Sequence, residues 1–500
     1  MANASTAQLI DELVYYGVKS LGLCKEDAVY ARNQLLELYG VSPSDKKPVG
    51  KDIDDVLNAL LDVAAENGMF EEGADLRFET KLLGLVTPSA GLVVKNYLEK
   101  MNAEGSKAAT DYLYDLSVKN KYIRLSDIAK NIRWYADGPK GKIGITINLS
   151  KPEKDNKQVA AERNSTAVKY PKCLLCLENL GFPGTVTHPA RQTIRVVPLT
   201  LDNEEWHMQY SPYMYYDKHV IAFSDEHRPM AVTDKTFRRL TDFTDLYPHY
   251  FLGSNADLPI VGGSILSHDH YQGGQKVLPM FLADFRKKVY ESDTLTVGIK
   301  DWYNSVVTVQ GTDKARVLET AYKVLKVWRE YSDESVGIIA KTDAPHNTIT
   351  PIATKWGDNY CLDLILRNNR TDEAHPDGIF HPTQDMHNIK KEGIGLIEAM
   401  GLFILPGRLK REIVAVVQTL GKEKIDFDAV NSDPVIGKHI GMIAQIAALH
   451  GAGIAPEEAQ KYVIDYINDT CLRILDCTAV FKNDDKGQEA FDRFLKAVLD

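Results

Sequence analysis

His268, His270 and Gln272 stand at alternate positions in His268-Asp269-His270-Tyr271-Gln272, with Gly262-Gly263-Ser264 before them and Gly273-Gly274 after. In an extended segment, residues i, i+2 and i+4 share a face. Two imidazoles and a carboxamide then line one wall while Asp269 and Tyr271 point the other way. The flanking glycines let backbone and ligand approach closely. This is the pattern expected of a phosphate-handling site whose nucleophile is a histidine.

Upstream, Cys173-Leu174-Leu175-Cys176 is a CxxC pair, and His227 follows the strand-like run that ends at Phe223-Ser224. Two thiolates and two imidazoles make a tetrahedral zinc shell. Cys173, Cys176, His227 and His268 are the expected ligands, which leaves His270 free for chemistry; His188, His207 and His219 are alternatives for the place of His227. A four-ligand shell keeps no open position for water, so the metal is expected to be structural, fixing the strand that carries His270. A redox dithiol is the rival for the CxxC pair. Its flanks, Pro171-Lys172 and Leu177-Glu178-Asn179-Leu180, open no obvious amphipathic helix.

The elements that must position these residues change character along the chain. Apolar residues at three and four spacing, as in Leu9-Ile10-Asp11-Glu12-Leu13 and Val56-Leu57-Asn58-Ala59-Leu60, predict helices from Ala7 to about Ile132, with Ser126 as a cap of the last. Alternation then predicts strands at Ile143–Leu149, Thr193–Leu199 and His219–Phe223, joined in part by a charged, solvated connection from Lys151 to Asn164. A helix around Ala315–Tyr331 leads into a second strand group at Ser335–Ala340, Asn347–Thr350 and Tyr360–Leu366. The spacing predicts a helix over Ile389–Leu405 and helical blocks from Pro434 to Lys496. The expected division is a helical region at 1–130, a zinc-containing domain at 131–305, a second sheet domain at 306–430 and a helical tail at 431–500.

With 500 residues, 44% of them apolar, the chain has ample material for a core. A net charge of −10 without a basic run argues against a nucleic-acid partner. No stretch approaches the roughly 18 uninterrupted apolar residues of a membrane span, and no secretion-signal pattern opens the sequence, so a cytoplasmic location is expected. Six cysteines, four of them without framework-like spacing, argue against disulfides.

Three segments together resemble the galactose-1-phosphate uridylyltransferases of the histidine-triad superfamily, specifically their second, mainly bacterial class. They are Gly262 to Gly274, Tyr170-Pro171-Lys172-Cys173-Leu174-Leu175-Cys176-Leu177-Glu178-Asn179, and Ile404-Leu405-Pro406-Gly407-Arg408-Leu409. The resemblance spans nearly the whole chain. It implies an α+β fold of two histidine-triad-like antiparallel-sheet domains with a helical N-terminal region and a helical C-terminal tail, in a homodimer. In the first class of the family the equivalent loop reads His-Pro-His-x-Gln, its second histidine taking the nucleotide and its first ligating a metal with a CxxC pair and another histidine. These roles carry over to His270 and to Cys173, Cys176, His227 and His268; Asp269 replaces the proline.

The implied reaction is ping-pong. His270 takes the uridylyl group from UDP-glucose, glucose 1-phosphate leaves, and galactose 1-phosphate collects the group, with Gln272 donating to a phosphoryl oxygen. Asn255 and Ser264 are candidates to orient phosphate, against the usual service of such residues in turns. Arg191 and Arg195, beside a strand start, are candidates to reach a diphosphate. Lys391 and Glu398 lie in a segment that resembles the one by which the family receives the sugar phosphate from the neighbouring subunit. The rivals are another nucleotidyltransferase or dinucleotide phosphorylase of the superfamily, and a zinc-stabilised nucleotide-binding module without turnover.

Overall fold

The computed structural model describes residues 5–150, 170–263, 265–275 and 277–500, so the expected connection from Lys151 to Asn164 and the candidate Ser264 lie outside the described residues. In chain order the strands are β1 (Ile132–Ala136), β2 (Ile143–Asn148), β3 (Val197–Leu201), β4 (Glu204–Tyr210), β5 (Val220–Ser224), β6 (Phe251–Gly253), β7 (His270–Gly274), β8 (Phe285–Glu291), β9 (Thr296–Lys300), β10 (Val306–Gly311), β11 (Asn347–Trp356), β12 (Asn359–Asn368) and β13 (Leu402–Pro406). Most helices gather at the two ends of the chain and the strands between them pair almost throughout antiparallel, which makes the fold α+β. Among the described residues no helix is long and apolar enough to cross a membrane.

The chain divides into two compact units. The first comprises Met1–Ser126, Lys154–Met214 and Lys218–His227. Its helices begin where the sequence supplies caps. The Ser5 side chain accepts from Gln8 N and the Gln8 side chain answers to Ser5 N, starting the helix Thr6–Tyr16, while Asp52 caps Ile53–Glu66. Their apolar stripes, Ile10 and Leu13 on one and Val56, Leu57 and Leu60 on the other, are fully buried. β3, β4 and β5 follow as an antiparallel meander in which Trp206 pairs with both Leu199 and Ser224.

The second unit comprises Asp127–Glu153, Tyr215–Asp217 and Arg228–Asp500. Here seven strands run in the order β7-β6-β11-β12-β10-β9-β8, each antiparallel to its neighbour. A smaller sheet, β1-β2-β13, adds β13 parallel to β2. Ile145, Trp302, Phe403, Ile443 and Ile467 lie in one buried core, which binds the small sheet to the C-terminal helices.

Expected elements differ at several places, and the strand expected from Thr193 begins only at Val197. Residues 335–340 form no strand: Asp333 caps the short 3-10 turn Glu334–Val336, and Gly337 takes the left-handed conformation at φ +76°, which turns the chain back into a single bridge between Asp333 and Ile338. Within Ile389–Leu405 only Leu396–Ala399 is α-helical. Gly401, at φ +90°, ends that turn, and Leu402-Phe403-Ile404-Leu405 continues as β13 because its hydrogen bonds go to β2. Ser126 lies inside the short helix Leu125–Ile128 rather than capping a longer one.

Candidate active site and metal-binding residues

In the second unit, Gly262 and Gly263 pack where no side chain fits. A Cβ on Gly262 would lie 2.6 Å from Ala256 O, and one on Gly263 would lie 2.6 Å from Asn255 Nδ2. Asn255 is buried, and its Oδ1 accepts from Leu396 N at 2.9 Å, so one carboxamide ties the glycine turn to the 395–398 segment. The chain then enters β7 through His268, which has no exposed surface.

His270 is buried, and its Nδ1 lies 2.8 Å from the His268 carbonyl oxygen. A carbonyl only accepts, so Nδ1 carries the proton and Nε2 of the neutral ring holds the lone pair. Burial pulls the His270 pKa down to about 4, against the opposing effect of that hydrogen bond. The ring is therefore neutral at physiological pH, with the Nε2 lone pair unprotonated.

The opposite face of the same segment serves the scaffold. Asp269 Oδ2 lies 3.3 Å from Arg239 Nη1 and 3.5 Å from Arg228 Nε, and Arg239 Nη1 also donates to Tyr271 Oη at 3.2 Å. Arg239 comes from the helix Asp234–Leu246. Asp269 and Tyr271 thus share a partner on one side of the segment; His270 and Gln272 lie in β7, whereas His268 precedes it in a bend. Gln272 is half-buried in β7, opposite Gly253 of β6.

Glu398 is buried with Lys390, its Oε1 3.0 Å from Lys390 Nζ, whereas Lys391 is exposed. Burial lowers the Lys390 pKa, but Glu398 and Glu392 outweigh it and the net shift is upward, so the lysine stays charged. Arg367, fully buried, donates from Nη2 to Ile394 O at 2.7 Å. Neither Lys390 nor Arg367 follows from the sequence: Lys390 differs from Lys391 by one register position, and Arg367 is a lone arginine in an apolar strand.

The first unit brings together Cys173, Cys176 and His227. The two Sγ atoms are 3.4 Å apart, Cys176 Sγ is 3.0 Å from His227 Nδ1, and the three donor atoms lie within 4.8 Å of one another. Asn179 Nδ2 donates to the carbonyls of Cys173 and Cys176 at 2.9 and 2.8 Å, which holds the CxxC turn. Burial, with the neighbouring Cys173, pushes the Cys176 thiol up to about 12. Two thiols and an imidazole converging in this way fit a thiophilic cation, whose charge would stabilise the paired thiolates. His188 and His207 are turned elsewhere, to Asn179 Oδ1 at 2.7 Å and to Asp225 Oδ1 at 2.8 Å.

Arg191 is buried against the Tyr122 ring, 5.7 Å from its centroid. Every nitrogen of Arg195 donates to a backbone carbonyl: Nε to Pro88, Nη1 to Gln192 and Ile194, and Nη2 to Thr87. The guanidinium closes the end of the helix Asp75–Val86, and burial lowers its pKa to about 10.

The chain matches two family models, Galactose-1-phosphate uridyl transferase, N-terminal domain, over residues 23–229 and Galactose-1-phosphate uridyl transferase, C-terminal domain, over residues 243–425. It is 44% identical to a galactose-1-phosphate uridylyltransferase of Fusobacterium nucleatum, with 98% of each chain covered. It is 41% identical to one of Caldanaerobacter subterraneus, covering 100% of this chain and 99% of the relative. One of Bacillus subtilis is 42% identical, over 98% of this chain and 97% of the relative. These matches set the chain among the nucleotidyltransferases. It belongs to the galactose-1-phosphate uridylyltransferase family.

Proposed function

We propose that this protein transfers UMP from UDP-glucose to galactose 1-phosphate through a uridylyl group carried on His270. The observation that carries the proposal is the hydrogen bond from His270 Nδ1 to the His268 carbonyl, which leaves Nε2 as the nucleophilic nitrogen. Nε2 attacks the α-phosphorus of UDP-glucose; the N–P bond forms as the bond to the bridging oxygen breaks, and glucose 1-phosphate departs with those electrons. In the second half, a phosphate oxygen of galactose 1-phosphate attacks the same phosphorus and the P–N bond breaks. UDP-galactose leaves and the neutral ring returns.

Gln272, two positions along the same face, donates to a non-bridging phosphoryl oxygen as its charge changes. Asn255, Ser264 and Glu398 are assigned to substrate, with Arg191 and Lys391 as further charges for phosphate. Arg195 enters as the residue that ties its own segment to the end of the helix Asp75–Val86. The support for Asn255 and Glu398 is their burial beside the glycine turns at 262–263 and 393–395.

The metal in this reading is zinc, held by Cys173, Cys176, His227 and His268. It supplies no chemistry to the transfer; it fixes the chain leading to His270. The protein is read as a cytoplasmic homodimer with the four-part division 1–130, 131–305, 306–430 and 431–500.

A donor and acceptor panel tests the activity. Labelled uridine, guanosine and adenosine diphosphate sugars are offered with hexose 1-phosphates, and products are identified. UDP-glucose with galactose 1-phosphate should give UDP-galactose. Transfer from a guanosine or adenosine donor but not from the uridine one would assign the site to a different nucleotidyltransferase.

A further inference from the structure

On the second unit, a cavity of about 270 Å³ opens over the face of the sheet formed by β9 to β12. Antiparallel register explains its chemistry. Thr308 of β10 pairs with Asp363 of β12, and Gln310 with Cys361, so these side chains share one face. Val307, Val309, Leu362 and Leu364 turn to the other side and are fully buried. The floor of the cavity is Asp363, whose Oδ2 meets Lys300 Nζ at 2.8 Å and whose Oδ1 accepts from Thr308 Oγ1 at 2.6 Å. Both members of the ion pair are nearly inaccessible, at 8% and 2% side-chain exposure. Burying such a pair is costly, and a well-packed apolar pair would be at least as stabilising. The transfer reaction gives it no task.

The walls add a second kind of chemistry. Phe281, Phe285 and Trp356 line the cavity, and Trp356 is 54% exposed. An exposed indole beside a polar, charge-paired floor has an aromatic face to offer and a set of donors and acceptors beneath it. Lys300 and Asp363 cancel each other, and Asp284 at the rim leaves the lining net negative, which opposes a phosphate or carboxylate. The volume lies just below the roughly 300 Å³ at which drug-sized ligand sites begin. The occupant is therefore small, uncharged, rich in hydroxyls and flat enough on one side to stack.

We propose that this cavity binds a neutral monosaccharide ring, an unphosphorylated sugar, at a site distinct from the one that carries His270. The ring's apolar face lies on Trp356, and its hydroxyls exchange hydrogen bonds with Gln310 and the Asp363 floor. Every residue invoked belongs to the second unit and none enters the transfer reaction, so the two proposals stand or fall separately.

Intrinsic fluorescence of the full chain tests it, because Trp206, Trp302 and Trp328 are buried, Trp134 is half-buried and Trp356 is exposed, and the Trp356→Ala variant reads the share of the signal that comes from Trp356. Titration with galactose or glucose should change the emission saturably, while the acyclic polyol sorbitol at equal concentration should not. Calorimetry should show the binding weakened at least tenfold in Trp356→Ala and several-fold in Gln310→Ala, with far-UV circular dichroism unchanged. His270→Asn should bind the sugar as the parent does. No response at tens of millimolar sugar overturns the proposal, as does an equal response to sorbitol or binding indifferent to both substitutions. Loss of binding in His270→Asn would assign the sugar to the transfer site instead, and binding of a hexose 1-phosphate that is tighter than that of the free sugar and is itself weakened in Trp356→Ala would refute the neutral class.

Discussion

Arg239 Nη1 lies 3.3 Å from Asp269 Oδ2, with both side chains buried and Tyr271 Oη 3.2 Å from the same nitrogen. The carboxylate between the two histidines thus belongs to the scaffold, where it binds the histidine segment to the helix Asp234–Leu246. This accounts for an aspartate where the first class of the family has proline: the side chain points away from the face that carries His270.

Breaking that pair from one side should be worse than removing it. Asp269→Leu leaves the Arg239 charge uncompensated and should cost about 3 kcal/mol or more. The double variant Asp269→Leu, Arg239→Met should recover part of that loss. Urea denaturation of both single variants and the double variant checks it; strictly additive losses would mean that the two side chains do not act as a pair.

Glu412 should make stability depend on acid. It is buried with Lys438 Nζ at 2.7 Å and His439 Nε2 at 2.9 Å, and Arg408 is also bound to it. Burial opposes ionisation, but these partners prevail and its pKa falls from 4.5 to about 2. A folded value below the unfolded one means stability that is complete above about pH 4.5 and lost as pH falls towards 2. The stability gap between the parent and Glu412→Gln should accordingly be constant from pH 8 to about 5 and close below it. A gap that widens on acidification would show the sign to be wrong.

Zinc analysis should give about one ion per chain, falling in Cys173→Ser and Cys176→Ser together with the melting temperature. Chelation should destabilise the parent more than either variant. A metal-free preparation as stable and active as the loaded one would remove the metal from the account.

Gln272→Ala should slow both half-reactions by roughly 10²-fold or more while leaving zinc content and melting temperature unchanged, as expected for a donor that acts on developing phosphoryl charge. Single-turnover kinetics of each half-reaction measures this; a change in only the melting temperature would make Gln272 a packing residue.

Much of this was legible where a signal is local. The pairing of Asp269 with Tyr271 on one side and the strand from His270 follow from the two-residue period of extended chain, and the CxxC turn brings Cys176 to His227 as two thiols and an imidazole require. Failures arose where distant partners decide. Leu402-Phe403-Ile404-Leu405 has apolar residues at every position, and only pairing with β2, more than 250 residues earlier in the chain, makes it a strand. Gly337 and Gly401 turn the chain at positive φ at points that no periodicity marks. The ion pair at Glu398 falls to Lys390 rather than its neighbour because burial, invisible in the sequence, separates the two lysines. Arg239 sits on an ordinary amphipathic helix, and only the fold gives it Asp269.

The most direct test is rapid-quench mass spectrometry of the intact chain mixed with excess UDP-glucose in the absence of acceptor. The chain should gain the mass of one uridylyl group, located to the peptide containing His270, discharged by galactose 1-phosphate and absent from folded His270→Asn. Sugar exchange at full rate with no such adduct at any quench time would contradict the account.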